Sequence, residues 1–303
     1  MYCGSEDTVK NGHVGVKQLY KCKDCGRQFV GGERINAEQI WHSYVFGHQT
    51  IRELSVRNNC SEKTIRRKLA KVEPQRRFIE PRDVILEMDT TYFGRGSGLM
   101  VFLDALKNEV LLSYWVKYET TSLYVSGVNV LRQRGFRILG IVCDGRKGLA
   151  AAFGNIRVQL CQFHQIQAVR RYLTLNPKLQ AGAELLALTR MLPYLSKAAF
   201  IKRLSDWKTR WNDFLQEKTT LQNSERKVFT HRKLRSAYRS LKSNSPWLFV
   251  FEGTNLPRTT SALEGLFSHL KRCLHNHNGL SDANRSKIVF GFLEAWGNQK
   301  SSV

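Results

Sequence analysis

The fold is decided by the stretch Val84-Ile85-Leu86-Glu87-Met88-Asp89-Thr90-Thr91. Its apolar run is typical of a buried strand, and it ends on an acidic residue followed by two small hydroxyl residues. A carboxylate in a buried place is costly unless a cation or a hydrogen-bond donor meets it. The pattern recurs 55 residues later in Phe136-Arg137-Ile138-Leu139-Gly140-Ile141-Val142-Cys143-Asp144-Gly145. The two aspartates therefore predict a divalent-metal site whose third ligand lies further along the chain.

The third acidic ligand is predicted on a helix near the end of the chain. Thr260 or Ser261 is a typical helix cap, and apolar residues follow it at helical spacing. Glu264 lies near the edge of that apolar stripe, where its carboxylate can reach a neighbouring strand end. Three carboxylates offer oxygen ligands suited to two ions of Mg²⁺ or Mn²⁺. Glu87 is an alternative first ligand, because it shares a strand face with Asp89.

The charge of the chain favours a polyanionic partner. The 303 residues carry a net charge of +23, for which nucleic acid is the default partner. The block 161–260 holds 18 Lys and Arg against 6 Asp and Glu, a net +12, so about half of the excess lies there. Neither a signal peptide nor an apolar run of membrane-span length is recognisable, which predicts a cytoplasmic protein.

Residues 1–32 predict a zinc ribbon that lacks its first ligand. Cys22-x-x-Cys25-Gly26 has the spacing of a zinc knuckle, and Cys3-Gly4 matches the second half of another. A structural zinc site normally has four ligands, so the missing cysteine is expected before Met1. His13 is an alternative fourth ligand at an unfavourable spacing. A reduced pair of surface thiols is the alternative to any metal site.

Residues 33–80 predict three helices and a charged linker. Asn36, Thr50 and Ser61 are the expected helix caps, and a tight polar turn separates the second helix from the third. Two short helices around such a turn match a helix-turn-helix DNA-binding region. A basic, solvated helix is the alternative interpretation. The cations of the third helix that are predicted to face DNA are Lys63, Arg66, Arg67 and Lys68.

Residues 81–165 predict an α/β domain. Three strand-like runs with short polar links indicate an antiparallel meander, and a helix, a strand, a short helix and another strand follow. The order βββαβαβ is that of a ribonuclease-H-like domain. Residues 166–255 predict a basic, all-α insertion, and residues 256–303 predict the C-terminal helices of the core, which carry the catalytic Glu.

Within the insertion, Trp207 and Trp211 are predicted to share one helix face and to form a small hydrophobic core. Base stacking is the less favoured interpretation of this pair. The cations of the insertion that are predicted to contact DNA are Lys202, Arg203, Lys208 and Arg210.

Four segments carry a resemblance to a known family. They are Met88-Asp89-Thr90-Thr91-Tyr92-Phe93, Val142-Cys143-Asp144-Gly145, Cys161-Gln162-Phe163-His164-Gln165 and Thr259-Thr260-Ser261-Ala262-Leu263-Glu264-Gly265. In this order they resemble the DDE transposases of bacterial insertion sequences related to the eukaryotic Mutator elements, in the variant with an N-terminal zinc ribbon and helix-turn-helix. The resemblance implies that Asp89, Asp144 and Glu264 are the catalytic, metal-binding triad. It also implies that Cys161 and His164 lie near the active site as an auxiliary pair.

The family resemblance implies a specific activity and specific partners. The expected enzyme cleaves double-stranded DNA at the terminal inverted repeats of its element and joins the freed 3′-hydroxyl to target DNA. Synapsis of two ends implies a homodimer or larger assembly on DNA, associated with the bacterial nucleoid. A ribonuclease-H-like nuclease or resolvase, and a non-catalytic transposase-derived DNA-binding regulator, are the alternatives.

Overall fold

The computed structural model describes residues 3–30, 35–220 and 226–297. The chain divides into two compact units, Met1–Pro74 with His275–Ile288 and Gln75–Leu274 with Val289–Val303. The predicted domain junction between residues 32 and 33 and the last residues of segment 256–303 lie outside the described residues. The remaining predicted boundaries stay predictions. No helix in the described part of the chain is long and apolar enough to cross a membrane.

The first unit begins with a three-stranded antiparallel sheet in the order β1-β2-β3. The strands are β1 (Thr8–Val14), β2 (Lys17–Cys22) and β3 (Gln28–Val30). Three helices follow, and these are α1 (Ala37–Val45), α2 (Ile51–Arg57) and α3 (Glu62–Lys71).

The predicted caps of these three helices are confirmed, because the side chains of Asn36, Thr50 and Ser61 each accept a backbone N–H from the first helical turn. Thr50 also forms a reciprocal capping box with Glu53. The turn between α2 and α3 contains Asn59 at φ 45°, a left-handed conformation that asparagine tolerates better than most residues.

The second unit is built on a five-stranded sheet. Its strands are β4 (Asp83–Tyr92), β5 (Gly98–Asp104), β6 (Glu109–Val116), β7 (Arg137–Cys143) and β8 (Val158–Leu160). They are arranged in the order β6-β5-β4-β7-β8. The first three strands form the predicted antiparallel meander, whereas β7 pairs in parallel with β4 and with β8. The predicted mixed α/β class is therefore confirmed.

Helices alternate with these strands and follow them in the chain, through the predicted insertion. They are α4 (Thr121–Gln133), α5 (Gln162–Leu173), α6 (Gln180–Arg190), α7 (Lys197–Arg210), α8 (Asn212–Gln216), α9 (Arg232–Asn244), α10 (Ser261–Asn276) and α11 (Asp282–Ala295). The all-α prediction for the insertion is wrong in one place, since β9 (Lys218–Thr220) and β10 (Lys227–Phe229) pair as an antiparallel ribbon. Each strand has three residues, too few to show an alternating pattern.

The helices of the insertion share one hydrophobic core with the sheet. This core extends from Phe102 on β5 through Leu131 on α4 to buried residues of α5, α6, α7 and α9, among them Phe200. Trp207 belongs to it and donates from Nε1 to the carbonyl of Ala181 at 3.1 Å, as the core interpretation predicts. Trp211 lies just beyond the end of α7, so the two rings do not sit on one continuous helix.

Candidate active site

Asp89 and Asp144 come together because their strands are parallel neighbours. Glu87 of β4 lies opposite Val142 of β7, and two more residues along each chain place Asp89 level with Asp144. Burial, together with the negative charges of Asp144 and Glu119, raises the pKa of Asp89 to about 6, although His164 opposes this shift. Burial likewise raises the pKa of Asp144. The two predicted ligands therefore form one desolvated acidic pair.

Glu264 reaches the same edge from the first turn of α10. Burial raises the pKa of its carboxyl, and its Oε1 atom is buried without a hydrogen-bond partner in the described part of the chain. A buried acceptor of this kind is costly unless a cation or donor meets it, so the residue fits a metal ligand. The ligand oxygens of Asp89, Asp144 and Glu264 do not all lie within 4.8 Å of one another among the described residues.

His164 lies between two members of the predicted triad. Its Nε2 atom is 4.0 Å from Oδ2 of Asp89 and 3.9 Å from Oε1 of Glu264, so these two oxygens are at most about 8 Å apart. The neighbouring Cys161 thiol and the charges of Asp89 and Glu264 raise the pKa of His164 to about 9, against the effect of burial. The raised pKa favours the protonated imidazole, whose positive charge offsets the repulsion between the carboxylates.

Cys161 connects three elements next to this histidine. Its N–H donates to the carbonyl of Cys143 at 2.8 Å, which extends the β7–β8 pairing, and α5 begins at the next residue. Its sulfur accepts from both the N–H and the hydroxyl of Thr260 at 3.5 Å. Burial acts to raise the pKa of the Cys161 thiol, but the interactions with His164 outweigh burial and lower this pKa. Cys161, His164 and Glu264 form a second group of ligand atoms within 4.8 Å of one another.

Glu87 caps α10 instead of the predicted hydroxyl residues. Its carboxylate is 2% exposed and accepts from the N–H of Leu263 at 3.1 Å, while the Thr260 hydroxyl is directed to Cys161. Burial raises the pKa of Glu87 to about 7, and the nearby charge of Glu264 raises it as well. Glu87 is therefore committed to holding the helix that carries Glu264. The Glu87 carboxylate on β4 therefore accepts the backbone N–H that the local sequence predicts to bind the side chain of Thr260 or Ser261.

A further carboxylate that sequence reasoning missed, that of Glu119, is tied to both aspartate strands. Its Oε1 accepts from the Tyr124 hydroxyl at 2.8 Å, and that hydroxyl lies 2.9 Å from the Thr90 hydroxyl. Its Oε2 pairs with Arg146 at 3.1 Å, and the N–H of Arg146 donates to Asp144 at 3.1 Å. Glu119 follows β6, whose C-terminal end lies at the same sheet edge as that of β4. The position of this acid just after the third strand of the meander is the sequence feature from which its place at the site could have been predicted.

The cysteines of the first unit form a separate metal-ligand group. The sulfurs of Cys3, Cys22 and Cys25 lie within 4.8 Å of one another, and those of Cys3 and Cys22 are 3.5 Å apart. A hydrogen bond from the backbone of Cys25 is the largest of the effects that lower the pKa of Cys22 to about 7. This cluster can bind zinc. His13 pairs with Gln18 at the far end of the β1–β2 hairpin from Cys22, so the alternative fourth ligand is excluded.

The cations predicted to contact DNA lie on two helices. On α3, Lys63, Arg66 and Arg67 are exposed and Lys68 is half-buried. On α7, Lys202, Arg203 and Arg210 are exposed, and Lys208 is half-buried. Several of these side chains have partners within the protein. Arg66 pairs with Glu62 at 3.1 Å, Arg210 pairs with Glu184 at 3.3 Å, and Lys208 donates to Asn212.

Comparisons with known proteins leave the family open. No family model matches the chain, and no curated protein matches it. One similar solved structure is the simian T-cell lymphotropic virus intasome in complex with the PP2A regulatory subunit B56 gamma. The match has 16% sequence identity, covers 68% of this chain and 68% of that chain, and has a TM-score of 0.23. A score this low does not establish a common fold.

Proposed function

We propose that the protein is a DNA transposase of the DDE type, related to the Mutator-like group of bacterial insertion sequences. It cleaves element ends and joins the freed 3′-hydroxyl to target DNA. The observation that carries the proposal is the convergence of Asp89, Asp144 and Glu264 on one sheet edge, from two strands and a helix that are distant in sequence. The family motifs and the net charge of +23 support it.

A ribonuclease-H-like architecture for the second unit belongs to this proposal. Its support is the sheet order β6-β5-β4-β7-β8, in which an antiparallel meander is followed by two parallel strands. In chain order, α4 lies between the third strand, β6, and the fourth strand, β7, which agrees with that architecture. The helical segment between α5 and α9 is then an insertion that precedes the helix carrying the third acid.

Asp89, Asp144 and Glu264 would hold Mg²⁺ or Mn²⁺ in this enzyme. When bound, two such ions activate a water or a 3′-hydroxyl and stabilise the leaving oxygen of a phosphodiester. A protonated His164 between Asp89 and Glu264 limits the repulsion between these carboxylates. Cleavage and strand transfer are both displacements at phosphorus, so one site serves both reactions.

The other parts of the proposal concern DNA and zinc. The cations of α3 and α7 contact the backbone of element ends, and a homodimer or larger assembly brings two ends together. The cluster of Cys3, Cys22 and Cys25 holds Zn²⁺ in an N-terminal ribbon. The exposed cations of α3, a helix that follows a tight turn and is capped by Ser61, support a helix-turn-helix role.

The decisive experiment uses Asp89→Asn and a plasmid that carries the DNA flanking the gene. We expect Mg²⁺- or Mn²⁺-dependent cleavage to vanish while DNA binding is retained. Asp83→Asn is the matched control, because Asp83 is exposed at the other end of β4 and pairs with Arg137. Cleavage that is unchanged in Asp89→Asn would refute the site. Joining of the cleaved 3′-hydroxyl to a second duplex separates a transposase from a nuclease or resolvase.

A further inference from the structure

A basic cleft lies at the far end of α5 from the candidate active site. Helices α5 and α9 pack side by side, and Gln165 near the start of α5 bonds to Ser240 at 3.1 Å and Asn244 at 2.7 Å near the end of α9. The pair is therefore antiparallel. The end of α5 and the start of α9 enclose a cavity of about 760 Å³. Tyr172 and Arg232 line it from opposite helices.

The cations of this cleft are available to a ligand. Lys178, Arg232 and Lys233 line the cavity and are exposed, and none of them forms an ion pair with an acid in the described part of the chain. A second cavity of about 520 Å³ lies around the end of α5 and is lined by Arg170 and Arg171. No acidic residue of the described chain lines either cavity. One acid is close by, since Glu217 pairs with the lining residue His231 at 2.8 Å. The five cations themselves form no ion pair in the described part of the chain, and so they fit a polyanion.

The walls of the cleft also carry exposed apolar surface. Tyr172 is 40% exposed, Leu179 is 47% exposed and Leu175, at the neighbouring cavity, is 56% exposed. Cations that follow a backbone, next to an aromatic ring, are the combination used by proteins that bind nucleic-acid strands, and the ring stacks on a base only where the strand is unpaired. An acidic peptide needs the cations alone, so the exposed ring and leucines favour DNA.

The length of α5 relates the cleft to the proposed chemistry. Nine residues separate His164 beside the carboxylates from Leu173 at the cleft, which is roughly 14 Å along a helix at 1.5 Å per residue. A DNA strand advances about 3.4 Å per nucleotide. We infer that the cleft binds the backbone of the DNA strand about four nucleotides from the phosphodiester at the carboxylates. This inference rests on the proposed function.

The test measures DNA affinity against salt concentration in an Asp89→Asn background, with a random-sequence duplex of about 20 base pairs and no added Mg²⁺. The cleft variant is Lys178→Gln/Arg232→Gln/Lys233→Gln. The control is Lys107→Gln/Arg132→Gln/Arg134→Gln, three exposed cations near the opposite end of the sheet from the carboxylates. Loss of three phosphate contacts should reduce the slope of log K against log[salt] by about 2.7. The control variant should change this slope by less than about 0.9, the contribution of one phosphate contact.

Three results of the salt titration would overturn the inference. In the first, the cleft variant keeps the slope of the parent protein. In the second, the cleft and control variants lose the same amount of slope, which shows that general surface charge accounts for the salt dependence. Absence of DNA binding by the parent overturns the proposed function as well, so the two failures are distinguishable. A photoreactive residue at position 178 provides a second measurement on the active enzyme. Its cross-links should map about four nucleotides from the cut, and cross-links more than ten nucleotides away contradict the inference.

Discussion

Glu87→Gln should stabilise the protein at alkaline pH and have little effect in acid. The side chain is buried, and its pKa is about 7 in the folded protein, against 4.5 ordinarily. Below pH 4.5 the residue is protonated in both folded and unfolded chains. Between pH 4.5 and 7 the unfolded chain loses this proton while the folded chain keeps it, so rising pH costs stability. The full difference corresponds to about 3 kcal/mol above pH 7.

Glutamine keeps the carbonyl oxygen that accepts from the N–H of Leu263 but has no proton to lose. The stability gained by Glu87→Gln should therefore grow from near zero at pH 4.5 to about 3 kcal/mol at pH 8. For a unit of this size, that gain raises the thermal midpoint by roughly 6 to 12 °C. Calorimetry of wild type and variant at both pH values measures the difference. Glu80→Gln, at an exposed position, is the control that should show no such growth.

A pH-independent difference, or a loss of stability that grows with pH, would refute this reasoning about Glu87. The same variant also tests the alternative in which Glu87 is the first metal ligand. We expect Glu87→Gln to retain metal-dependent cleavage, because the carboxylate is used to cap α10. Loss of cleavage in a stably folded Glu87→Gln variant would support Glu87 as the first metal ligand.

Two further predictions concern packing and zinc. Gly127→Ala should lower the free energy of unfolding by about 1 to 3 kcal/mol, because the new Cβ would lie 2.1 Å from Cζ of Phe102; urea unfolding measures it, with exposed Ser126→Ala as the control. Cys22→Ser should abolish the binding of one zinc ion per chain, measured with a chromophoric chelator, whereas Cys60→Ser should not. Equal zinc content in both cysteine variants would contradict the three-cysteine site.

Local patterns predict much of the second unit, because its strands are apolar runs. They also predict the caps of α1, α2 and α3 in the first unit, because these caps lie within three residues of the groups they bind. The strand carrying Asp89 and the strand before Asp144 are recognisable for this reason. Their adjacency follows from a parallel pairing that brings residues 55 positions apart to one sheet edge. The antiparallel meander also follows from three apolar runs with short links.

Contacts between distant side chains were not predictable from the sequence. The bond from Leu263 to Glu87 spans 176 residues, and nothing local distinguishes Glu87 from other acids on a strand. Glu119 precedes a helix in the way that many solvated acids do, and its role depends on the partners Tyr124 and Arg146. His164 gains its position from α5 starting directly after β8, a geometry that the Cys-x-x-His spacing does not specify.

Glu264 is a member of two possible ligand sets, which differ in the atoms they offer to a metal ion. A set with Cys161 and His164 offers sulfur and nitrogen, which suit zinc. In that set, however, the Cys161 sulfur already accepts two hydrogen bonds from Thr260, with which a metal ion would compete. A set with Asp89 and Asp144 offers oxygens alone, in desolvated carboxylates that repel one another. We propose the carboxylate set as the metal site, because a hard divalent cation relieves that repulsion and displaces no existing hydrogen bond of Cys161.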